Sequence, residues 1–322
     1  MSNNSNLNRA KKAKNDEFYT QLCDIEAEMK HYTKHFVDKC IYCNCDDPTW
    51  SNFWRYFHER FSELRLRKLI STHFERDGSP SYALVYEGGD DGNIEVGIKV
   101  GLKGDGDFRS EESIGFLKEA DIVVTNPPFS LFREYMKQLM EYGKKFIVIG
   151  NLNAVTYKEI FPLIKNDEIW LGVQHGDMAF TVPDDSESRE TRFWIDDAGQ
   201  KWRSLGNGCW YTNLDYELRH VLLPIVKYQI DKYSKFDYYD AINVDKVCKI
   251  PQFDGAMGVP ITFLFKCCPE QFEILSANDI RIDDTIKRKQ HGLIKDKESS
   301  VNHVNKYVRL VIRLRSATYV SN

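Results

Sequence analysis

The stretch Asp121-Ile122-Val123-Val124-Thr125-Asn126-Pro127-Pro128-Phe129-Ser130 reads as an apolar strand running into a stiff turn. Ile122 to Val124 is the uninterrupted apolar run of a strand buried on both faces. Each proline fixes its own φ and disfavours helix for the residue before it, so the turn has little freedom. Ser130 is placed to cap a helix, and Leu131, Phe132, Tyr135, Met136, Leu139 and Met140 form an apolar stripe at helical spacing. Strand, turn and helix in this order predict an α/β sheet with the turn at the carboxyl end of a strand, where open sheets bind their ligands. Asn-Pro and Pro-Pro are also ordinary loop signals, so the tetrapeptide alone is open to a purely structural reading.

The flanking chain supports the α/β reading. Ile41-Tyr42-Cys43, Leu69-Ile70-Ser71-Thr72 and Phe146-Ile147-Val148-Ile149 are further strands, and Cys209 to Leu214 is expected as a closing antiparallel strand. Ile25, Met29, Tyr32 and Phe36 mark one helix. Asp47-Pro48 is expected to open another, with the stripe Trp50, Phe53, Trp54, Phe57, Phe61 and Leu64. Ser79 to Val100 patterns as a hairpin inserted around Gly88-Gly89, with Tyr82, Leu84 and Tyr86 facing Ile94, Val96 and Ile98. Tyr157 to Ile164 reads as helix, Ile169 to Val173 as strand, and Gln174 to Gly208 as a glycine- and acid-rich loop region. Beyond Asp215, the expected elements are a strand at Ile261 to Phe265, a helix begun by Pro269 with Phe272 and Leu275, and a strand from Val311 with arginines on one face.

The chain has 322 residues, 42% of them hydrophobic, enough for one large or two modest cores. No apolar run of membrane-spanning length or signal-peptide pattern is visible, which predicts a cytoplasmic protein without membrane attachment. The eight cysteines are then expected to be reduced. Cys40, Cys43 and Cys45 invite a zinc reading, but no second ligand pair follows at the right spacing, so no metal is expected. The net charge of −4 speaks mildly against a nucleic-acid partner, yet placement matters more than the total. Arg9, Lys11, Lys12 and Lys14 make a basic arm within residues 1–15, and Lys287, Arg288, Lys289, Lys306, Arg309, Arg313 and Arg315 make a basic tail. Tyr228, Tyr233, Phe236, Tyr238 and Tyr239 alternate with Lys227, Lys232 and Lys235, a mixture suited to stacking on bases and pairing with phosphates. Half-buried packing with solvated lysines explains the same pattern equally well.

At Asn126 to Phe129 the residue types suit an exocyclic amine. Its lone pair is delocalised into the ring, and acceptors that draw its hydrogens aside make it a better nucleophile. The Asn126 side-chain oxygen and the Pro127 carbonyl are the candidate acceptors, the prolines hold them in place, and Phe129 offers a face for a planar base.

This loop resembles the catalytic loop of amino-methyltransferases, and the blocks around it resemble the EcoRI-type DNA adenine methyltransferases. The blocks are Asp16 to Gln21, Tyr42 to Pro48, Gly104 to Ser110, Ala120 to Tyr135, Ile169 to Val173, Asp240 to Val244 and Gly258 to Leu264. The resemblance runs from about Lys14 to about Leu275. It implies a Rossmann-like methyltransferase sheet with helices on both faces over residues 16–215, carrying the hairpin insertion at about 79–100. Residues 216–322 become a target-recognition region. It further implies S-adenosylmethionine as methyl donor, double-stranded DNA as substrate, a flipped adenine at Asn126, Pro127, Pro128 and Phe129, and GAATTC as one candidate target. Phe18, Tyr19 and Thr20 would pack beside the donor, the Cys45, Asp46 and Asp47 turn would hold its methionine part, and Asp107 and Phe108 would border its adenine. Lys11, Lys12, Lys14, Lys232 and Lys235 are the candidate DNA contacts. The expected enzyme is a monomer, and a restriction endonuclease acting on the same site is its candidate partner.

One departure stands out: no glycine lies between Cys40 and Gly78, where most such enzymes carry a glycine-rich loop. Two other readings stay open, the second of them on account of that missing loop. One is a methyltransferase acting on RNA or protein glutamine through the same loop, and the other is a DNA-binding protein that has lost catalysis.

Overall fold

The continuous apolar runs of the sequence form the middle of a ten-stranded sheet in a computed structural model of the protein. The structure describes residues 19–45, 47–75, 79–89, 97–182, 184, 186, 188, 190–237, 240–275, 293–294, 300–302, 304–305 and 309–315. Phe18, Asp46, the basic arm with Lys11, Lys12 and Lys14, and Tyr238 and Tyr239 lie outside the described residues, as do Lys287, Arg288, Lys289 and Lys306 of the tail. Chain contacts divide the protein into two units, residues 1–154 with 171–215, and residues 155–170 with 216–322.

In the first unit, β1 (Tyr19–Thr20) leads into α1 (Leu22–Met29), and β2 (Cys40–Cys43) is followed by α2 (Asn52–Glu59) and β3 (Lys68–Thr72). A hairpin of β4 (Tyr82–Tyr86) and β5 (Ile98–Gly101) precedes α3 (Glu111–Glu119) and β6 (Ile122–Thr125). Then come α4 (Phe132–Glu141), β7 (Lys145–Asn151), β8 (Trp170–Thr181), β9 (Phe193–Ile195) and β10 (Lys201–Thr212). The strand order is β1-β8-β10-β7-β6-β2-β3-β4-β5, with β9 on β10. β3, β2, β6 and β7 are mutually parallel neighbours, and β10 closes antiparallel on β7 as the sequence predicts. Every residue of β2 and β6 is buried, as a strand covered on both faces requires.

The hairpin is the edge of this same sheet, because β4 pairs antiparallel with β3. Its second strand begins at Ile98, whereas Ile94 and Val96 lie outside the described residues. Ile25, Met29, Tyr32 and Phe36 are all fully buried, but in two pieces: α1 ends at Met29 and a separate turn of helix covers Thr33–Phe36. Asp47 does not cap a helix. Its side chain closes a turn onto the Thr49 N–H, and α2 starts later under Ser51, whose hydroxyl accepts from the Phe53 N–H. Trp50 consequently falls outside the helical stripe and is 46% exposed. Ser130 does not hold the N-cap position: Phe129–Leu131 is a 3-10 turn, and α4 begins at Phe132 with Leu131 before it. The expected loop at Gln174 to Gly208 is mostly strand, in β8, β9 and β10.

The second unit carries a five-stranded sheet of β11 (Ala241–Asn243), β12 (Ala256–Pro260), β13 (Phe272–Ile274), β14 (Leu293–Ile294) and β17 (Arg309–Leu314). β17 is central, pairing antiparallel with β12, β13 and β14. A separate two-stranded piece joins β15 (Ser300–Val301) to β16 (Val304–Asn305). Three expectations fail here and upstream. The strand ends at Pro260, and Ile261–Lys266 is 3-10. Phe272 lies in a strand, and the helix before β8 is only Phe161–Lys165.

One buried acid fastens α1 to the sheet. Glu28, fully buried, accepts from the backbone N–H groups of Val173 and Gln174 at 2.7–3.1 Å and from the Tyr32 hydroxyl at 2.7 Å. Burial raises its carboxyl from the ordinary 4.5 to about 7, against the pull of those hydrogen bonds. A pKa raised on folding contributes stability that is complete below about 4.5 and is lost as pH climbs through about 7. The full span is worth about 3 kcal/mol. We expect the wild-type Tm to fall by several degrees between pH 5 and 8, and Glu28→Gln to fall distinctly less. Calorimetry at the two pH values checks this, and parallel profiles would refute it.

Candidate active site

The switch in strand order falls between β2 and β6: the chain leaves β2 for β3 on one side and later returns to lay β6 on the other. Ligands of open α/β sheets bind outside the carboxyl ends of strands at such a point. Asn44 to Asp47 follow β2 there, His73 follows β3, and Asn126 to Phe129 follow β6.

Asn126 is oriented by its neighbours. Its Nδ2 donates to the Thr20 hydroxyl at 3.3 Å, and the Thr20 carbonyl in turn accepts from Asn52 Nδ2 at 2.8 Å. Thr20 thus ties the loop after β6 to the amino end of α2. Since Nδ2 faces Thr20, the carbonyl end of the Asn126 amide is turned to serve as an acceptor. Pro127 is buried, whereas Pro128 and Phe129 are half-buried, leaving the Phe129 ring partly accessible. Tyr19, half-buried, meets Trp50 edge-on with ring centroids 3.9 Å apart.

The turn after β2 is built from side chains. Three hydrogen bonds converge on Asp47, from the Thr49 N–H at 2.9 Å, the Thr49 hydroxyl at 2.7 Å and the Tyr82 hydroxyl at 3.3 Å, and His73 Nδ1 lies against it as an ion-pair contact at 2.7 Å. Burial opposes the Asp47 charge, but the contacts from His73 and Thr49 outweigh it and hold the carboxyl at about 2. Asn44 accepts from the Tyr135 hydroxyl of α4 and from the Cys45 thiol, the latter at 3.7 Å. Its Nδ2 is buried and donates to nothing. An unpaired buried donor costs roughly 1–3 kcal/mol, so this turn has a polar group ready for an acceptor from a ligand. That fits a polar methyl donor without a glycine cradle.

Asp107 and Phe108 sit differently from each other. Asp107 receives both prongs of Arg109 at 2.6 and 2.8 Å, so its charge is already matched. Phe108 is buried edge-on against Tyr135, 5.1 Å between centroids, and its carbonyl accepts from Gln138. In the second unit, Lys232 and Lys235 are exposed, and Lys235 lies 3.8 Å from Asp240. The neighbouring aromatics are largely packing: Phe236 belongs to the unit's core, and Tyr228 stacks on Tyr233 and meets Phe253 at a tilt.

The model of one family matches residues 6–315, that of the EcoRI adenine-specific methyltransferases. The chain belongs to this family. Its relatives include the Type II methyltransferase M.EcoRI of Escherichia coli, 45% identical over 96% of each chain. M.MpnI of Mycoplasma pneumoniae is 40% identical over 96% of this chain and 98% of its own, and M.MgeORF184P of Mycoplasma genitalium is 39% identical over 95% and 98%. No solved structure matches. The protein is therefore an adenine-specific methyltransferase, and it uses a methyl donor. Among the described residues, no helix is long and apolar enough to cross a membrane.

Asn44, Asn52, His73 and Tyr135 carry no site role in the sequence expectations. Asn44 and His73 directly follow strand ends, which is the signal that finds them. The Asp47 carboxylate beside it raises the His73 pKa above the ordinary 6.5, with burial opposing and Glu75 adding to the rise. The stabilisation this gives is present below about 6.5 and fades as pH rises through the raised value. At the acid end, Asp47's own share is lost as pH falls from 3.8 towards about 2. In an NMR titration, His73 should titrate above 6.5 in the wild type and lower in Asp47→Asn. Identical curves would mean the pair does not form.

Proposed function

We propose that this enzyme transfers a methyl group from S-adenosylmethionine to the N6 amine of an adenine turned out of double-stranded DNA, within one short recognition sequence. The observation that carries the reading is the Thr20 to Asn126 hydrogen bond, which presents the carbonyl end of a conformationally held amide as an acceptor. S-adenosylmethionine supplies a methyl group on a sulfonium, electrophilic enough for direct transfer. Asn126 Oδ1 and the Pro127 carbonyl draw the two amine hydrogens aside, and Phe129 stacks on the base. Because the turn is rigid before reaction, the acceptors need no reorganisation as charge develops.

Parallel crossovers are right-handed, and β2-α2-β3 and β6-α4-β7 leave the switch point in opposite directions. That supports a doubly wound domain with α2 and α4 on opposite faces. We assign the donor to the crevice at its carboxyl edge. The Asn44 amide donor and the Cys45 to Asp47 turn would hold its methionine part, with Tyr19 and Thr20 alongside and Asp107 and Phe108 towards its adenine. Within that turn Asp47 serves chiefly to hold the backbone shape, since three hydrogen bonds and the His73 ion pair already occupy it. The carboxylate for the donor's ammonium is then Asp46, next to it in sequence. Phe18 would pad the same crevice. Residues 216–322 would read the target sequence, with Lys232 and Lys235 on phosphates and the arm Lys11, Lys12 and Lys14 assisting. The enzyme would act as a monomer and protect DNA from an endonuclease cutting the same site.

Asn126→Ala should lower kcat about 100-fold or more while leaving S-adenosylmethionine affinity within a few fold. Labelled methyl transfer to DNA free of adenine methylation, with calorimetric titration of the donor, checks both halves. Normal turnover by the variant would overturn the mechanism.

A further inference from the structure

The second unit contains a cavity of about 270 Å³ whose walls mix charge, hydrogen-bonding groups and an aromatic ring. Its floor includes Ala241 and Leu275, members of the unit's apolar core. Phe253 forms one wall. A Cβ on Gly255 would collide with Cε1 and Cζ of the Phe253 ring, so the glycine leaves the ring its place. Arg313, from the central strand β17, forms another wall, and Lys235, Asp240 and Asp254 complete the rim.

Arg313 is the informative group. It stands opposite Glu273 in the sheet register, yet its Nε is 3.8 Å from the Glu273 carboxylate, too far for a hydrogen bond. The Nε atom is buried and donates to nothing. The side chain is 43% exposed and pairs electrostatically with Glu273, so the cost falls on this one N–H, and a ligand acceptor in the cavity would remove it. The ligand's class follows from the other walls. A phosphate would meet Asp240 and Asp254 as well as Arg313 and Lys235, so like charges would cancel much of the attraction. A nucleobase suits all of them: its face stacks on Phe253, its ring acceptors face Arg313, and its amine faces a carboxylate. The volume admits one heterocycle.

We infer that the cavity walled by Phe253 and Arg313 receives a base of the recognition sequence other than the methylated adenine, with Arg313 as a specificity-determining residue. Guanine, whose O6 and N7 accept two prongs from arginine, is the best match. The inference rests on the proposed action on DNA.

The test compares full-length wild type with Arg313→Ala, Arg313→Lys and Phe253→Ala, each first shown to be folded by circular dichroism and to bind S-adenosylmethionine. Two quantities are read: the DNA KM and kcat, and the methylated motif mapped across a genome by long-read sequencing. Arg313→Ala should raise KM roughly tenfold or more with little change in kcat, and should relax the motif at one position. Arg313→Lys should recover part of the KM but not the motif, because an ammonium keeps the charge without the two-pronged geometry. Should Arg313→Ala not fold, Phe253→Ala carries the same expectation. An unchanged motif overturns the inference, whether KM is unchanged or rises equally for all sequences with a salt slope lower by about one, the mark of a phosphate contact. Failure of the wild type to methylate any DNA would instead overturn the function on which it rests.

Discussion

β2 and β6 lie side by side, parallel and buried along their whole lengths. Two such strands cannot turn back on themselves locally, so each must exit at its carboxyl end into a loop that runs on into a helix. Those exits carry Asn44 to Asp47 and Asn126 to Phe129. Their closeness in space, though they are some eighty residues apart in sequence, is a consequence of backbone pairing alone. α4, which follows the second exit, reaches back through the Tyr135 hydroxyl to Asn44 at the first.

The first exit lacks the glycines that usually let a backbone approach a ligand. Side chains supply the rigidity instead. Asp47, held as an anion by His73 and Thr49, fixes the turn in the way a tight glycine loop would by conformation. The exchange has a chemical cost, since a turn held by ionised groups depends on pH where a glycine loop does not.

The α/β character and the antiparallel closing strand were legible because long apolar runs with a period of one or two residues leave few alternatives. The loop at Asn126 was legible from residue type. Helix starts were not, because Asp47 and Ser51 are both good caps and only the tertiary partners His73 and Tyr82 decide between them. The later part of β8 and the earlier part of β10 were misread as loop since glycines punctuate them. Gly208 is there for space, since a Cβ there would strike Met178. The swap of strand and 3-10 turn around Pro260 has a similar origin, as both conformations suit the apolar run Ile261 to Leu264. Asn44 and Tyr135 escaped notice since their partnership spans 91 residues and leaves no local pattern.

β1 is a two-residue strand whose partner among the described residues is β8. So short a ladder is the kind of element that opens by itself, at a free-energy cost well below that of global unfolding. Thr20, which orients Asn126, sits in that ladder. Warming should therefore inactivate the enzyme through a small cooperative opening of this corner while the sheet as a whole stays intact. Its thermal tolerance as a catalyst is set by a segment of two residues, separately from its stability as a folded protein.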